Sequence, residues 1–316
     1  MSMLTSGGTR TTEGTGGRGA PPGKRRPFSP GRLAAWVFVA VVLVVTVFPF
    51  YWILRTALSN NVALPTAPSS FLPVDFTWGA FERALGLASR AEAQAQGGSG
   101  ASLDTALYLR NSIVYATVQT ALVVFCSAMA AYAFSRLRWR GRGAVFNVLL
   151  GALMVPAILT LLPNFIFIRD IHQLNSFTGL ILPGAFFSAF DIFFLRQFML
   201  GLSTEVEEAA VVDGASRMRI FFTITLPMTS APLATLSLLT FINTWNDYFW
   251  PLLVTNDEHA RPLTLALGVF KQSSPQAAPD WAGLMAATMI AALPMLVLFM
   301  VFGRRIVNSI GFTGIK

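Results

Sequence analysis

Acidic side chains are concentrated in a polar segment, residues 204–227, that lies between two long apolar stretches. Those acids are Glu205, Glu207, Glu208 and Asp213. Negative charge stabilises the first turn of a helix, and Thr204 with Glu207 has the spacing of a capping box. Gly214 is suited to end this helix in a left-handed conformation, and a second short helix is expected to start near Ser216. The segment is therefore predicted to be a capped helical hairpin.

Small side chains give this hairpin a face that another protein could approach closely. Ala209 and Ala210 leave one side of the first helix with little bulk. Such a face is typical of a docking surface. An ordinary helical loop between two spans would carry the same capping signals, so the pattern alone leaves both interpretations open.

Catalytic chemistry is not expected in this chain. Neither His172 nor His259 has a histidine, cysteine or acidic partner at the spacing of metal ligands. The sequence contains no paired-carboxylate, nucleophile-elbow or zinc signature. We predict no catalytic residues, no metal site and no cofactor bound by this chain.

A second polar cluster combines aromatic, amide and carboxylate side chains near the end of an apolar run. Its members are Asn243, Trp245, Asn246, Asp247 and Trp250. Aromatic rings pack against the apolar faces of sugars, and amides and carboxylates bind sugar hydroxyls. On a continuous helix Asn243, Asn246 and Trp250 share one face, which Asp247 adjoins. The cluster is a candidate substrate path, although tryptophan and tyrosine also form the aromatic belts of membrane interfaces.

Two ionisable residues, Asp191 and Arg196, fall within another apolar run. Charged groups inside a membrane are costly, and they are usually paired or functional. The spacing of five residues is imperfect for a pair on one helix. We expect these residues to anchor their helix to its neighbours rather than to take part in transport.

The elements that must position these groups are membrane helices. The 316 residues are 54% hydrophobic and 12% charged, which excludes an ordinary soluble protein. Nearly uncharged runs occur at about 33–54, 111–134, 144–168, 177–200, 228–253 and 282–303. Each run can cross a hydrocarbon layer of roughly 30 Å. The sequence therefore predicts an all-α membrane protein with six transmembrane helices.

Arginine and lysine residues are concentrated on one predicted side of the membrane. They lie in the N-terminal tail, in the 136–142 loop, in the polar hairpin and at the C-terminus. The positive-inside rule places these parts, and so both termini, in the cytoplasm. It also explains the net charge of +8 without a nucleic-acid partner.

The predicted organisation has two parts. Residues 1–32, rich in Gly, Thr, Pro and Arg, are expected to form a disordered basic cytoplasmic tail. Residues 33–316 form the transmembrane domain, with the cytoplasmic hairpin at 203–226. A tract at 91–103 in the first outer connection has the composition of a linker.

The polar hairpin resembles the Glu-Ala-Ala loop of the membrane subunits of ABC importers. The residues that match in order are Glu208, Ala209, Ala210, Asp213, Gly214, Ala215, Phe221, Ile224, Leu226 and Pro227. One departure is Pro232, which follows Pro227 by five residues where the family usually has four. In that family this loop is the coupling helix, which sits in a cleft on the ATP-hydrolysing subunit. The resemblance implies that Glu208, Ala209, Ala210, Asp213, Gly214 and Ala215 couple this chain to an ATPase.

Other parts of the chain are similar to the sugar-transport, maltose-type branch of these permeases. They are Asn111-Ser112, Ala131-Tyr132-Ala133 with Arg136, Leu195-Arg196-Gln197-Phe198, Trp245-Asn246-Asp247 with Pro251-Leu252, and the closing Gly-Phe-Thr-Gly-Ile-Lys316. The resemblance implies the type I importer fold and a multi-pass subunit in a bacterial-type cell membrane. It also implies a second homologous permease subunit, two ATPase subunits that bind ATP and Mg, and an extracytoplasmic solute-binding protein that delivers a carbohydrate.

Two alternatives stay open. The first is an ABC permease for glycerol phosphate or another polyol derivative. The second is a secondary transporter, which would need intramembrane acids coupled to protons or ions, and usually repeats or broken helices. Asp191 alone gives that second alternative little support.

Overall fold

A computed structural model describes residues 30–98, 103–273 and 279–311, with the side chains of 273 and 303–311 excepted. Most of the predicted tail, residues 1–29, lies outside this range, as does the closing Gly-Phe-Thr-Gly-Ile-Lys316 motif except for Gly311. The described chain contains helices and one isolated antiparallel bridge between Ser59 and Phe76. The all-α prediction is confirmed for this part of the protein.

The α-helices follow one another along the chain. They are α1 Pro30–Ala57, α2 Gly79–Ala84, α3 Arg90–Ala95, α4 Thr105–Arg136, α5 Arg142–Ala152, α6 Ile158–Asp170, α7 Phe177–Ile181, α8 Ala189–Leu200, α9 Glu205–Val212, α10 Arg217–Ile220, α11 Leu226–Met228, α12 Ser230–Trp245, α13 Phe249–Val254, α14 Leu263–Ser273 and α15 Trp281–Gly311. Short 3₁₀ helices cover Leu64–Thr66 and Leu182–Gly184, and a π-helix covers Phe221–Thr225.

Three of these helices are by themselves long and apolar enough to cross a membrane: α1, α4 and the Trp281–Phe302 part of α15. Two further candidates are bent pairs. The Phe177–Gly184 segment meets α8 at 49°, and the Arg217–Met228 segment meets α12 at 78°. Within the described residues, helix length and composition therefore give three to five spans rather than the predicted six.

Proline accompanies two of the breaks in the predicted continuous runs. Pro156 lies in the non-helical residues between α5 and α6, and Pro183 lies in the 3₁₀ turn before α8. A proline ring removes a backbone donor and clashes with the preceding turn. Hydropathy reports a run as apolar whether or not its helix is continuous.

The chain divides into two compact units, residues 1–49 and 50–316. In the first unit the described residues belong to α1, and large apolar side chains such as Trp36 and Phe38 are 65% and 70% exposed. A helix that is apolar on every side suits a lipid environment.

The core of the second unit is built around α4, which packs against α8 and α12. Ala128 and Ala131 are fully buried on α4 and contact a cluster that includes Leu195, Phe221 and Leu236. Small side chains allow the backbones of apolar helices to approach closely. This packing holds the polar hairpin, which follows α8, next to the end of α4.

A buried ion pair joins the connection after α1 to the start of α15. Arg83 donates to both carboxylate oxygens of Asp280 at 3.0 and 3.1 Å, and its remaining amino group donates to Gln96. Asn61 donates to the carbonyl oxygens of Gly97 and Pro279. These bonds tie two distant connections of the chain together.

The 91–103 tract is more structured than its composition predicted. Helix α3 covers its first part, and Ser89 and Glu92 form a capping box at its start. The hydrogen bonds from Ser89 lower the pKa of the Glu92 carboxyl. Residues 99–102 lie outside the described range. The linker prediction is therefore wrong for 91–95, because the capping box stabilises a short helix there despite the small, polar composition.

Asp191 and Arg196 do not pair with each other in the described structure. Arg196 lies 4.1 Å over the ring of Phe146 and donates to the carbonyl of Phe134. Asp191 is buried in the first turn of α8, where its backbone N–H is capped by Ser188. The contacts of Arg196 support the anchoring interpretation.

Candidate functional site

The polar segment forms the expected hairpin, and Gly214 ends its first helix. Gly214 has φ +80°, its N–H donates to Val211, and the N–H of Ala215 donates to Ala210. This pattern is a Schellman motif, which requires a left-handed residue at the position of the glycine. Ser216 then caps α10 by accepting from the N–H of Arg219. The predicted stop and restart are both confirmed.

The predicted capping box at the start of α9 is wrong. The Thr204 side chain makes no capping hydrogen bond, and Ser203 instead accepts from the N–H of Glu205. Glu207 turns inward, where its carboxylate lies 3.0 Å from Nε of Arg136. The N–H of that nitrogen is not aligned as in a hydrogen bond, so the contact is electrostatic. Thr225 donates to the same carboxylate oxygen at 3.2 Å.

Further bonds fix the hairpin to the end of α4. The Arg136 guanidinium donates to the carbonyl of Leu202 at 3.0 Å, and the Tyr132 hydroxyl donates to the carbonyl of Arg217 at 3.3 Å. Glu207 and Arg136 are both about nine-tenths buried. These contacts connect the hairpin directly to α4. Sequence reasoning missed the contact between Glu207 and Arg136, because nothing near Glu207 in sequence indicates its partner.

The opposite side of the hairpin is exposed. Among the predicted coupling residues, Glu208, Ala209, Asp213 and Gly214 are exposed, whereas Ala210 and Ala215 are half-buried. Large apolar side chains accompany them: Val212 is 87% exposed and Met218 is 54% exposed. Apolar side chains exposed beside acids favour contact with another protein over contact with water.

The connection from the hairpin into the next span is bent rather than straight. The π-helix Phe221–Thr225 follows α10. At the bend, the Thr229 hydroxyl donates to the carbonyl oxygens of Thr225 and Leu226. The chain then turns by 78° into α12, whose first turn contains Pro232. Single π-helical turns within helices are frequent at functional sites.

A cleft of ≈770 Å³ lies between the hairpin and the end of α4. We call it the arginine cleft. It is lined by Ser135, Arg136, Leu137, Arg138, Trp139, Arg142, Thr204, Glu207, Glu208 and Arg217.

A second cavity, of ≈470 Å³, contains three members of the aromatic and amide cluster: Asn243, Asp247 and Trp250. We call it the polar cavity. Its other lining residues are Tyr115, Gln119, Ala157, Thr160, Leu161, Asn164, Leu180, Pro183, Gly184 and Thr244. Tyr115 donates to Asp247 at 3.0 Å, and the Trp250 indole donates to the carbonyl of Leu180 at 3.0 Å. The cavity thus has a fixed carboxylate and a fixed aromatic wall.

The remaining two members of the cluster lie elsewhere. Trp245 is buried, stacks on Phe241 with ring centroids 5.8 Å apart, and does not line the polar cavity. Asn246 is exposed and donates back to the carbonyl of Ile242 at 2.8 Å. The assumption of a continuous helix is wrong here, because α12 ends at Trp245 and α13 begins at Phe249. Asn243, Asp247 and Trp250 nevertheless line one cavity, as their spacing of four and seven residues would also place them on one helix face.

Gln119 contributes to the polar cavity a buried hydrogen-bonding atom that has no partner. It is 8% exposed, and its Oε1 has no hydrogen-bond partner. A buried polar atom without a partner is costly, so such an atom in a cavity favours a polar ligand. Gln119 lies four residues after Tyr115 on α4, which places both on one helix face. This spacing is the sequence signal from which Tyr115 and Gln119 could have been predicted to line one site.

No group of three or more His, Cys, Asp or Glu side chains able to hold a metal ion occurs in the described ranges. The candidate functional surfaces in these ranges are the exposed face of the hairpin and the polar cavity.

Comparison with known proteins gives a family match and several full-length relatives. Residues 123–311 match the family described as the binding-protein-dependent transport system inner membrane component. The probable ABC transporter permease protein YurM of Bacillus subtilis is 30% identical over 297 residues, which cover 92% of this chain and 91% of that protein. The diacetylchitobiose uptake system permease protein NgcG of Streptomyces coelicolor is 30% identical, with 89% of each chain covered. The sn-glycerol-3-phosphate transport system permease protein UgpE of Pectobacterium atrosepticum is 31% identical, with 87% and 94% covered.

One solved structure has a similar fold. A chain of a bacterial ABC transporter involved in the import of the acidic polysaccharide alginate superposes with a TM-score of 0.65. The match covers 88% of this chain and 98% of that one at 22% identity, so it is an argument about the fold alone.

Proposed function

The chain belongs to the family of binding-protein-dependent transport system inner membrane components, and we propose that it imports a carbohydrate as one permease subunit of an ABC importer. As a member of that family it is an inner-membrane transport subunit rather than an enzyme, and it works with an ATPase and a binding protein. The substrate class is the part that we propose. The observation that carries it is the polar cavity, where an indole wall faces amide and carboxylate groups.

A phosphorylated polyol is the second candidate, because UgpE, named for sn-glycerol-3-phosphate, is 31% identical. A phosphate ester requires cationic or multiple N–H partners. The polar cavity is lined by Asp247 and by no arginine or lysine. Its charge therefore favours a neutral carbohydrate over an anionic substrate.

The hairpin is proposed to couple this subunit to the ATPase. The residues concerned are Glu208, Ala209, Ala210, Asp213, Gly214 and Ala215. Support comes from the exposed acids and the exposed Val212 on one side, and from the Arg136–Glu207 ion pair on the other. If the ATPase moved the exposed side of the hairpin, the Arg136–Glu207 ion pair would carry that movement to the end of α4.

The full assembly proposed here contains a second homologous permease subunit and two ATPase subunits that bind ATP and Mg, with the binding protein outside.

Six spans are obtained if α5–α6, α7–α8 and α12–α13 each count as one broken span beside α1, α4 and α15. The Arg83–Asp280 ion pair joins two connections predicted to be outside, and Tyr132 joins α4 to the hairpin predicted to be inside. Both contacts agree with the proposed sidedness.

Two asparagines three residues apart test the substrate path. Asn243→Ala removes an amide that lines the polar cavity, whereas Asn246→Ala removes an exposed amide that does not. We expect Asn243→Ala to lower carbohydrate uptake about tenfold, the effect of losing one hydrogen bond of roughly 1.4 kcal/mol. Uptake of radiolabelled substrate is measured in vesicles carrying the complete transporter. The substrate is first identified by mass spectrometry of the ligand bound to the binding protein.

The uptake of each variant is compared only where the complete complex is assembled to the wild-type level. Equal loss of uptake in both variants, or wild-type uptake in Asn243→Ala with the complex intact, would remove the polar cavity from the substrate path. A phosphorylated ligand on the binding protein would replace the carbohydrate proposal with the second candidate.

A further inference from the structure

The arginine cleft carries charge that the coupling contacts use only in part. Four arginine and two glutamate side chains line it, so its surface is net positive. Arg136 is occupied by Glu207 and the carbonyl of Leu202, and Arg142 donates to the carbonyl of Leu137 at 2.9 Å. In the part of the chain that the structure describes, the exposed Arg138 side chain has no hydrogen bond or ion pair. The cleft can therefore accept an anion without losing the contacts that hold the hairpin.

The rim of the cleft lies at the end of the apolar core. Trp139 lines the cleft, is 41% exposed and packs on Phe134 with ring centroids 5.7 Å apart. Phe134 in turn packs on Phe146 at 5.5 Å within a buried apolar cluster. A tryptophan between a charged surface and an apolar cluster is typical of the boundary between headgroups and hydrocarbon.

An exposed apolar strip continues from the cleft along α5. This helix begins at Arg142 in the cleft, and within its next two turns Val145 is 48% exposed and Val148 is 75% exposed. A ligand bound by the arginines would have an apolar surface directly beside it. That combination fits a molecule with an anionic head and hydrocarbon tails.

We propose that the arginine cleft binds the phosphodiester headgroup of an anionic phospholipid. Arg138 is the principal donor, with help from Arg142 and Arg217, Trp139 packs against the glycerol region, and the acyl chains lie along α5. Guanidinium groups bind phosphate oxygens with two parallel N–H donors, and basic pockets between membrane helices are known to suit such headgroups. An acidic segment of a protein partner would use the arginines but not the apolar strip.

A lipid in this position would lie on the side of Arg138 and Arg142, with Glu207 and Glu208, whose charge repels phosphate, on the hairpin side of the cleft. It would therefore lie beside the coupling hairpin on the side of α4. The inference rests on the proposed function only for placing the cleft at the cytoplasmic membrane surface.

Two arginines of the same loop provide the test. Arg138 lines the cleft, whereas Arg140 is equally exposed but does not line it. The complete transporter is reconstituted in nanodiscs with equal amounts of phosphatidylglycerol and phosphatidylcholine, and re-extracted in mild detergent. The retained lipid is then quantified by mass spectrometry. We expect phosphatidylglycerol to be enriched, and Arg138→Ala to retain about fivefold less of it, while Arg140→Ala retains the wild-type amount.

The measurement needs no transport, so a failure of the carbohydrate proposal would leave it unaffected. Equal losses in the two variants would show that general loop charge holds the lipid and would overturn the proposal. Arg138→Ala that keeps its phosphatidylglycerol but loses the ATPase subunits would assign the cleft to an acidic protein segment instead. Retention of both lipids in equal amounts by the wild-type complex would also overturn it.

Discussion

Glu207 and Glu208 are neighbours in sequence but have opposite environments. Glu207 is buried against Arg136 and Thr225, whereas Glu208 is exposed and lines the arginine cleft. Breaking one partner of a buried ion pair costs about 3 to 5 kcal/mol because the other charge is left uncompensated. An exposed carboxylate has no comparable effect on folding. The two residues can therefore separate a structural role of the hairpin from the docking role that we propose for it.

We predict that Glu207→Gln weakens the connection between the hairpin and α4. The expected result is a lower melting temperature of the complex and more ATP hydrolysed per substrate imported. Glu208→Gln should leave the melting temperature unchanged. The variants Glu207→Gln, Arg136→Gln and the double variant form a cycle, and we expect a coupling energy of roughly 1 to 3 kcal/mol between the two sites.

Additive effects in this cycle would show that the ion pair does not connect the hairpin to α4. A wild-type ATP to substrate ratio in Glu207→Gln would leave the pair with a purely structural role.

At the scale of the element, the hairpin depends on one backbone conformation. Gly214 has φ +80°, and nothing lies within 4 Å of a Cβ placed there, so a substitution is opposed by the backbone and not by crowding. A β-branched residue in this conformation costs at least about 1 to 2 kcal/mol. We predict that Gly214→Val shifts the start of α10 and uncouples ATP hydrolysis from uptake. The measurement is ATPase activity with and without the loaded binding protein.

Gly143 supplies the matched control for this substitution. Its Cβ would also meet nothing within 4 Å, and its φ is not positive. Gly143→Val should therefore keep substrate-stimulated ATPase activity. Normal stimulation in Gly214→Val would contradict the proposed role of the Schellman turn.

At the scale of the whole molecule, sidedness is the property on which the proposed assembly depends. Ala91 and Gln272 are exposed in two connections predicted to be outside, and Arg140 is exposed in a loop predicted to be inside. We predict that single cysteines at Ala91 and Gln272, in a Cys126→Ala background, react with a membrane-impermeant thiol reagent in intact cells. A cysteine at Arg140 should react only after the membrane is permeabilised. The reverse pattern would invert the proposed topology.

Properties that depend on local pattern could be read from the sequence. Apolar runs showed that the chain is an all-α membrane protein, and the Glu208–Pro227 motif identified its family. The turn at Gly214 and the cap at Ser216 were predictable because both depend on residues next to each other in the chain. The anchoring role expected for Arg196 was predictable for a related reason, since a charged group in an apolar run must find a partner.

Which of these polar groups meet depends on how distant helices pack. Glu207 contacts Arg136, which is 71 positions away in the chain, and no local pattern connects the two. Asn243 and Asp247 lie four residues apart, but only the packing of α4 against α12 brings Gln119 to the same cavity. Asn246, in the same motif, lies outside the cavity. Helical periodicity relates the residues of one helix to each other but does not show which helices pack together, so the hairpin motif and three residues of the polar cavity were readable from the sequence, and the wall that α4 contributes was not.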